Sequence, residues 1–185
     1  GATCKKLAAD ALARGEEACI VAAATGARPD LMELIADLQA MGAKAKAVTG
    51  DLADPDVPQR LVDEAVKFCG GLDGVVSNAA ARHQAPMLDL KLADWDRLFA
   101  VNARATWLLA KAAYPALRES RGAIVAVTSI AGTFPHANYG PYSMSKAALI
   151  CLVQQLAQEW GRDGIRVNGV APGITRTRNA EAVYR

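Results

Sequence analysis

No stretch of this 185-residue chain is long and apolar enough to span a bilayer, since a helix doing so needs about 18 uninterrupted apolar residues or more. A charge bias is equally missing. The 21 lysines and arginines against 19 acids leave a net charge of +2, and the positive residues are scattered among acids instead of forming a stripe, which argues against nucleic acid as a partner. Histidine occurs only twice, and the four cysteines (Cys4, Cys19, Cys69, Cys151) lie far apart with no Cys-x-x-Cys among them. Metal sites are therefore not expected, and the thiols read as buried and free in a reducing compartment. No secretory h-region is found either, so the expected location is the cytoplasm. What remains, 52% apolar and 22% charged residues, is the composition of one globular domain with a sizeable core.

Hydrophobic periodicity alternates between strand-like and helix-like along the whole chain, with short connections and no internal repeat. Helical spacing at Leu7, Ala8, Ala11 and Leu12 stops at Gly15, and strand patterns follow at Cys19–Ala24, 43–48, 72–77, 123–128 and 164–171. Helices are expected between them: from Leu31 to Met41, from Pro55 to Phe68, from Asp94 to Tyr114, and from near Tyr139 to Trp160. Strand, helix, strand in this order predicts a doubly wound parallel sheet with helices on both faces, a three-layer Rossmann-like α/β/α domain over residues 1–185.

The stretch Ser129 to Lys146 lies between a predicted strand and a predicted helix, where chemistry is commonly placed. Tyr142 and Lys146 are one helical turn apart, so their side chains share a face. A free phenol has a pKa of about 10, and making it useful near neutrality takes roughly 4 kcal/mol in favour of the phenolate. A cation at ~4 Å in a partly dry site supplies about that amount. Ser129, at the end of the strand, would add a hydroxyl to the same pocket. Asn102 is a polar residue on the apolar face of its helix, which calls for a reason. One is a water-bridged proton path from Lys146, and the other is an Asn that bonds a distorted turn.

The ordered set Asn102, Ser129, Tyr142 and Lys146 resembles the active site of the short-chain dehydrogenase/reductase family, in particular its 3-oxoacyl-ACP reductase-like and glucose dehydrogenase-like members. The resemblance covers residues 7–177. It implies hydride transfer between a nicotinamide cofactor and a carbonyl or secondary alcohol, with Ser129 holding the carbonyl oxygen, Tyr142 moving the proton, Lys146 supporting it and binding ribose, and Asn102 ordering water. Other matching positions imply cofactor contacts. Asp51 and Leu52 follow the predicted strand 43–48 and would meet the adenine, while Ser77-Asn78-Ala79-Ala80 looks like the family's Asn-Asn-Ala-Gly. Asn78 would support the central strand, and Ala79 and Ala80 would lie along a ribose. Pro172-Gly173-Ile174-Thr175-Arg176-Thr177 matches Pro-Gly-x-x-x-Thr, pointing to Ile174 and Thr177 at the carboxamide. At the end of the predicted strand Cys19–Ala24, Ala24 or Thr25 stands where NAD-dependent members carry an acid, with Arg28 nearby, so NADP(H) is expected over NAD(H).

Two departures from the family pattern carry expectations of their own. Its glycine-rich phosphate turn would fall before Gly1 and near Thr3 and Lys5, and its first strand and C-terminal substrate-covering region are expected to lie outside these 185 residues. The alternative is a non-catalytic scaffold or binding module with a degenerate phosphate turn. The helices carrying Asn102 and Tyr142 resemble the family's subunit interface, implying a homodimer or homotetramer. Phe134, Pro135, His136 and Asn138 suggest a mixed apolar and polar substrate pocket, and His83 lies in the loop expected to rim it.

Overall fold

The computed structural model describes residues 1–137 and 139–175. These form two compact units, residues 1–75 with 107–122, and residues 76–106 with 123–175. The element order is α1 (Ala2–Ala13), β1 (Cys19–Ala24), α2 (Pro29–Ala40), β2 (Lys44–Thr49), α3 (Val57–Cys69), β3 (Gly74–Ser77), α4 (Leu92–Phe99), α5 (Ala105–Ser120), β4 (Ala123–Val127), α6 (Pro141–Trp160) and β5 (Arg166–Val170). A π-helical turn, Ala100–Arg104, joins α4 to α5. This is a Rossmann-like α/β fold with parallel strands, as the alternating periodicity predicts. Among the described residues no helix is long and apolar enough to cross a membrane.

In the first unit β1 and β2 pair in parallel, in register from Cys19 with Lys44 to Ala24 with Thr49. Leu31, Leu34, Ile35 and Leu38 of α2 occur at helical spacing and are buried with Ala22 and Ala45 in one core, the apolar stripe that anchors an amphipathic helix. Proline occupies the first turn of α2 and of α3, where its missing N–H costs nothing. The cysteines depart from expectation: Cys19 and Cys69 form a disulfide with Cα atoms 5.7 Å apart, leaving Cys4 and Cys151 free. The βαβ path returns the end of α3 to the start of β1, a juxtaposition that spacing along the chain does not reveal.

Strands β3, β4 and β5 form a sheet in that order. The described strands thus fall into two parallel groups, β1-β2 and β3-β4-β5. β4 and β5 are parallel and register Val127 against Val170, so the segments beginning at Thr128 and Ala171 leave the sheet side by side. Thr128 fastens this end by donating both its amide (2.8 Å) and its Oγ1 (2.9 Å) to the Val170 carbonyl. In an open parallel sheet, ligands bind beyond such carboxyl ends.

Candidate active site

Strand β4 ends at Val127, and Ser129 follows as the cap of a single 3₁₀ turn, Ile130–Gly132, its Oγ accepting from the Ala131 amide at 3.1 Å. Gly132 makes the next step possible. A Cβ there would stand 2.8 Å from the Lys146 carbonyl carbon and 2.9 Å from the Ala147 nitrogen, so only glycine lets this turn seat against the backbone of α6. Ile130 donates to the Pro172 carbonyl at 3.2 Å, which ties the Ser129 segment to the Pro172-Gly173 segment.

Helix α6 begins at Pro141, two residues later than the predicted start near Tyr139, because Gly140 adopts φ 49°, ψ −134°, outside the helical region. Tyr142 and Lys146 both lie on α6, one turn apart. The Lys146 side chain is directed inward: the residue is 2% exposed, and Nζ donates to the Val127 carbonyl at 2.7 Å. It also lies 5.9 Å from the centroid of the Tyr142 ring, within cation–π range. Burial lowers the Lys146 pKa to about 8, because desolvation penalises the charged form. The ammonium uses one donor on Val127, and the chemistry of a lysine head provides two more.

Asn102 sits in the π-helical turn and is 1% exposed. Its Oδ1 accepts from the Ala81 amide at 2.8 Å, and its Nδ2 donates to the Ala81 carbonyl at 3.0 Å and to Ser145 Oγ at 2.9 Å. Ser145 in turn donates to the Tyr142 carbonyl at 2.8 Å. Asn102 thus lies in a distorted turn, but its side chain reaches away from that turn and links the segment after β3 to the start of α6. Sequence reasoning missed Ser145; its position three residues after Tyr142, on the same helix face, was the available signal.

The remaining expected positions are spread over both units. Arg28 caps the start of α2 and grips Asp30 through Nε and Nη2, both 3.1 Å. Asp51 follows β2 and accepts from the Ala53 amide at 3.0 Å, while Leu52 is half-buried against Val48, Val57 and Leu61. Asn78, Ala79 and Ala80 are exposed beyond β3, and the buried bond that fastens this strand end comes from Ser77 Oγ to Thr106 Oγ1, 2.7 Å. Pro172 is half-buried, whereas Gly173 and Ile174 are exposed. Thr177, like Asn138, lies outside the described residues. Thr3 and Lys5 belong to α1, and Lys5 pairs with Asp37 of α2 at 2.6 Å. His83 faces Asp94 across 3.6 Å.

A nicotinamide ribose and carboxamide fit this set. A buried ammonium with uncommitted donors stands beside Tyr142, small exposed residues follow β3, and Gly173 is exposed and has no side chain to hold a ligand off its backbone.

Comparison with known proteins gives a consistent picture. The family described as short chain dehydrogenase matches residues 4–185. "Dehydrogenase/reductase SDR family member 4" from Bos taurus is 36% identical over 152 residues, 81% of this chain and 54% of the relative. The chain therefore spans about half the length of the curated relatives it matches. Among solved structures, a short chain dehydrogenase from Burkholderia cenocepacia in complex with NADP superposes with a TM-score of 0.84 at 37% identity, covering 95% of this chain and 69% of the other. An NADH-dependent reductase, A1-R', complexed with NAD gives a TM-score of 0.83 at 27% identity over 94% and 75% of the two chains.

Proposed function

The chain belongs to the short chain dehydrogenase family, and from that premise we propose that it is an oxidoreductase transferring a hydride between a nicotinamide cofactor and a carbonyl or secondary alcohol. The observation that carries the proposal is Lys146, buried, bonded to Val127 and facing the ring of Tyr142 one turn away. When bound, the cofactor supplies or accepts the hydride. The side chains handle the proton and the developing charge. Ser129 donates a hydrogen bond to the substrate oxygen as it gains charge, and Tyr142 delivers the proton to that oxygen. Lys146 favours the negative charge left on Tyr142 and holds a ribose hydroxyl. Asn102 orders the water that restores the proton, and by clasping Ala81 and Ser145 keeps the first turn of α6 in place.

For the cofactor, Arg28, Asp51 and Leu52 are assigned to the adenosine end, and Asn78, Ala79, Ala80, Pro172, Gly173, Ile174 and Thr177 to the nicotinamide end. NADP(H) is proposed over NAD(H). The Arg28 pair with Asp30 is exposed, and such pairs are worth only about 0.2–1 kcal/mol. A phosphate can therefore take the guanidinium from Asp30. Small-molecule substrate, assembly as a homodimer or homotetramer through the Asn102 and Tyr142 helices, and a cytoplasmic setting complete the proposal; the Cys19–Cys69 disulfide would be held reduced there.

Replacing Tyr142 by Phe tests the core of it. Turnover should fall by about 10³, within the range general acid catalysis contributes, while cofactor affinity is retained. Near-normal turnover in that variant removes Tyr142 from the mechanism.

A further inference from the structure

We infer that Arg82 is a carboxylate-binding residue of this site, and that the physiological substrate is a small oxo acid or the corresponding hydroxy acid. The inference rests on the hydride-transfer reading above and deepens it by naming the substrate class.

Arg82 follows the Ala81 that Asn102 clasps, so its backbone is fixed by the same network that holds the first turn of α6. Its side chain turns toward the tyrosines. Nη2 donates to Tyr139 Oη at 3.0 Å, and the guanidinium carbon lies 5.3 Å from the Tyr139 ring centroid and 5.7 Å from that of Tyr142. A guanidinium has five N–H donors in a planar fork, and one is committed here. Among the described residues no carboxylate pairs with it. The nearby Asp94 is directed to His83 instead. An exposed arginine with a purely structural task would be expected to close on an acid of its own chain. This one is held by aromatic rings at the reacting tyrosine with most of its fork uncommitted, the geometry that receives a planar carboxylate.

The space alongside sets the rest of the molecule. A cavity of about 310 Å³ is lined by Met87, Pro135, His136, Ser143 and Met144 among others. His136 links it to the arginine, because its ring lies 5.3 Å from that of Tyr139. The lining is mainly apolar, and Ser143 Oγ is buried without a hydrogen-bond partner. That combination suits a short carbon chain with one polar atom. It does not suit a phosphate, whose further oxygens would need donors that the apolar wall lacks.

The test is steady-state reduction of matched pairs by the full-length protein: 2-oxobutanoate, 3-oxobutanoate and 4-oxopentanoate, each against its primary amide, with NADPH and with NADH. At least one acid should exceed its amide in kcat/KM by about 10- to 100-fold, the range for a hydrogen bond to a charged group. Arg82→Gln should remove most of that preference while lowering the amide's kcat/KM far less than the acid's. Arg82→Lys should keep part of it, and Tyr139→Phe, which frees the guanidinium, should cost the acid about threefold. A role confined to folding would lower acid and amide alike. Equal turnover of acids and amides, or turnover of neutral ketones with no acid accepted, overturns the inference and leaves the dehydrogenase reading standing. No turnover of any carbonyl compound, with no response of the melting temperature to either cofactor, overturns both.

Discussion

A buried lysine is an unusual thing for a fold to keep, and the cost of Lys146 can be put in terms of pH. Its folded pKa is lowered from 10.5 to about 8 by burial, so between these values the unfolded chain binds more protons than the folded one. Stability from this residue therefore rises as pH climbs from about 8 to 10.5, and below about 8 the full penalty, on the order of 3 kcal/mol, is present. Denaturant titrations of the wild type should show that rise, and Lys146→Met should lack it. Activity should run the opposite way. If the cation is what supports Tyr142, kcat/KM falls above pH 8 as the ammonium deprotonates, and a flat profile from pH 7 to 9.5 would contradict that role. Asn102 is a different case, because its value lies in neutral bonds. Asn102→Ala strips partners from the Ala81 amide and carbonyl and from Ser145. At about 1–3 kcal/mol for each buried group left unsatisfied, the loss should be at least ~2 kcal/mol by chemical denaturation.

Elements in this chain were legible where one period repeats, and illegible where two distant segments meet. Strand β1 occupies the predicted residues, and α6 ends at Trp160 as its apolar spacing implies. The predicted helix from Asp94 to Tyr114 is instead α4, a π-helical turn and α5, because the insertion around Asn102 shifts the ladder without changing the apolar pattern. The seat of the 3₁₀ turn on α6 was likewise invisible, since Gly132 is locally an unremarkable loop glycine. Its structural role predicts that Gly132→Ala pushes the Ser129 turn off α6. Melting temperature and kcat should both drop, by more than Gly26, where an added Cβ would meet no atom within 4 Å, would show on the same change. The disulfide is the other long-range surprise. Cys19 and Cys69 close a loop of about 50 residues, for which chain-entropy reasoning gives about 4 kcal/mol. Cys19→Ser, or reduction, should lower the melting temperature of the oxidised protein by roughly 10 °C. A shift under ~2 °C would mean that the pair does not form in solution.

The protein taken entire poses one choice, between an enzyme and a scaffold that has kept the tetrad without the cofactor. Thr3 and Lys5, aligned where the family places phosphate-turn glycines, lie in α1, and Lys5 is spent on Asp37, which is what a scaffold would also look like. Lys146 argues the other way. A module that never binds a nicotinamide ribose gains nothing from an ammonium buried at 2% exposure against a strand-end carbonyl, and replacing it with an apolar residue would remove the penalty. Cofactor linkage decides the matter without knowledge of the substrate. A ligand at 100 times its Kd stabilises the folded state by about 2.7 kcal/mol, which for a chain of this size raises the melting temperature by roughly 5–11 °C. NADPH should produce such a shift in the full-length protein and NADH a smaller one. Asp30→Asn, by releasing Arg28 from its carboxylate, should widen the gap between the two. A larger shift with NADH would remove Arg28 from cofactor selection, and no shift with either at millimolar concentration would leave the scaffold as the better account.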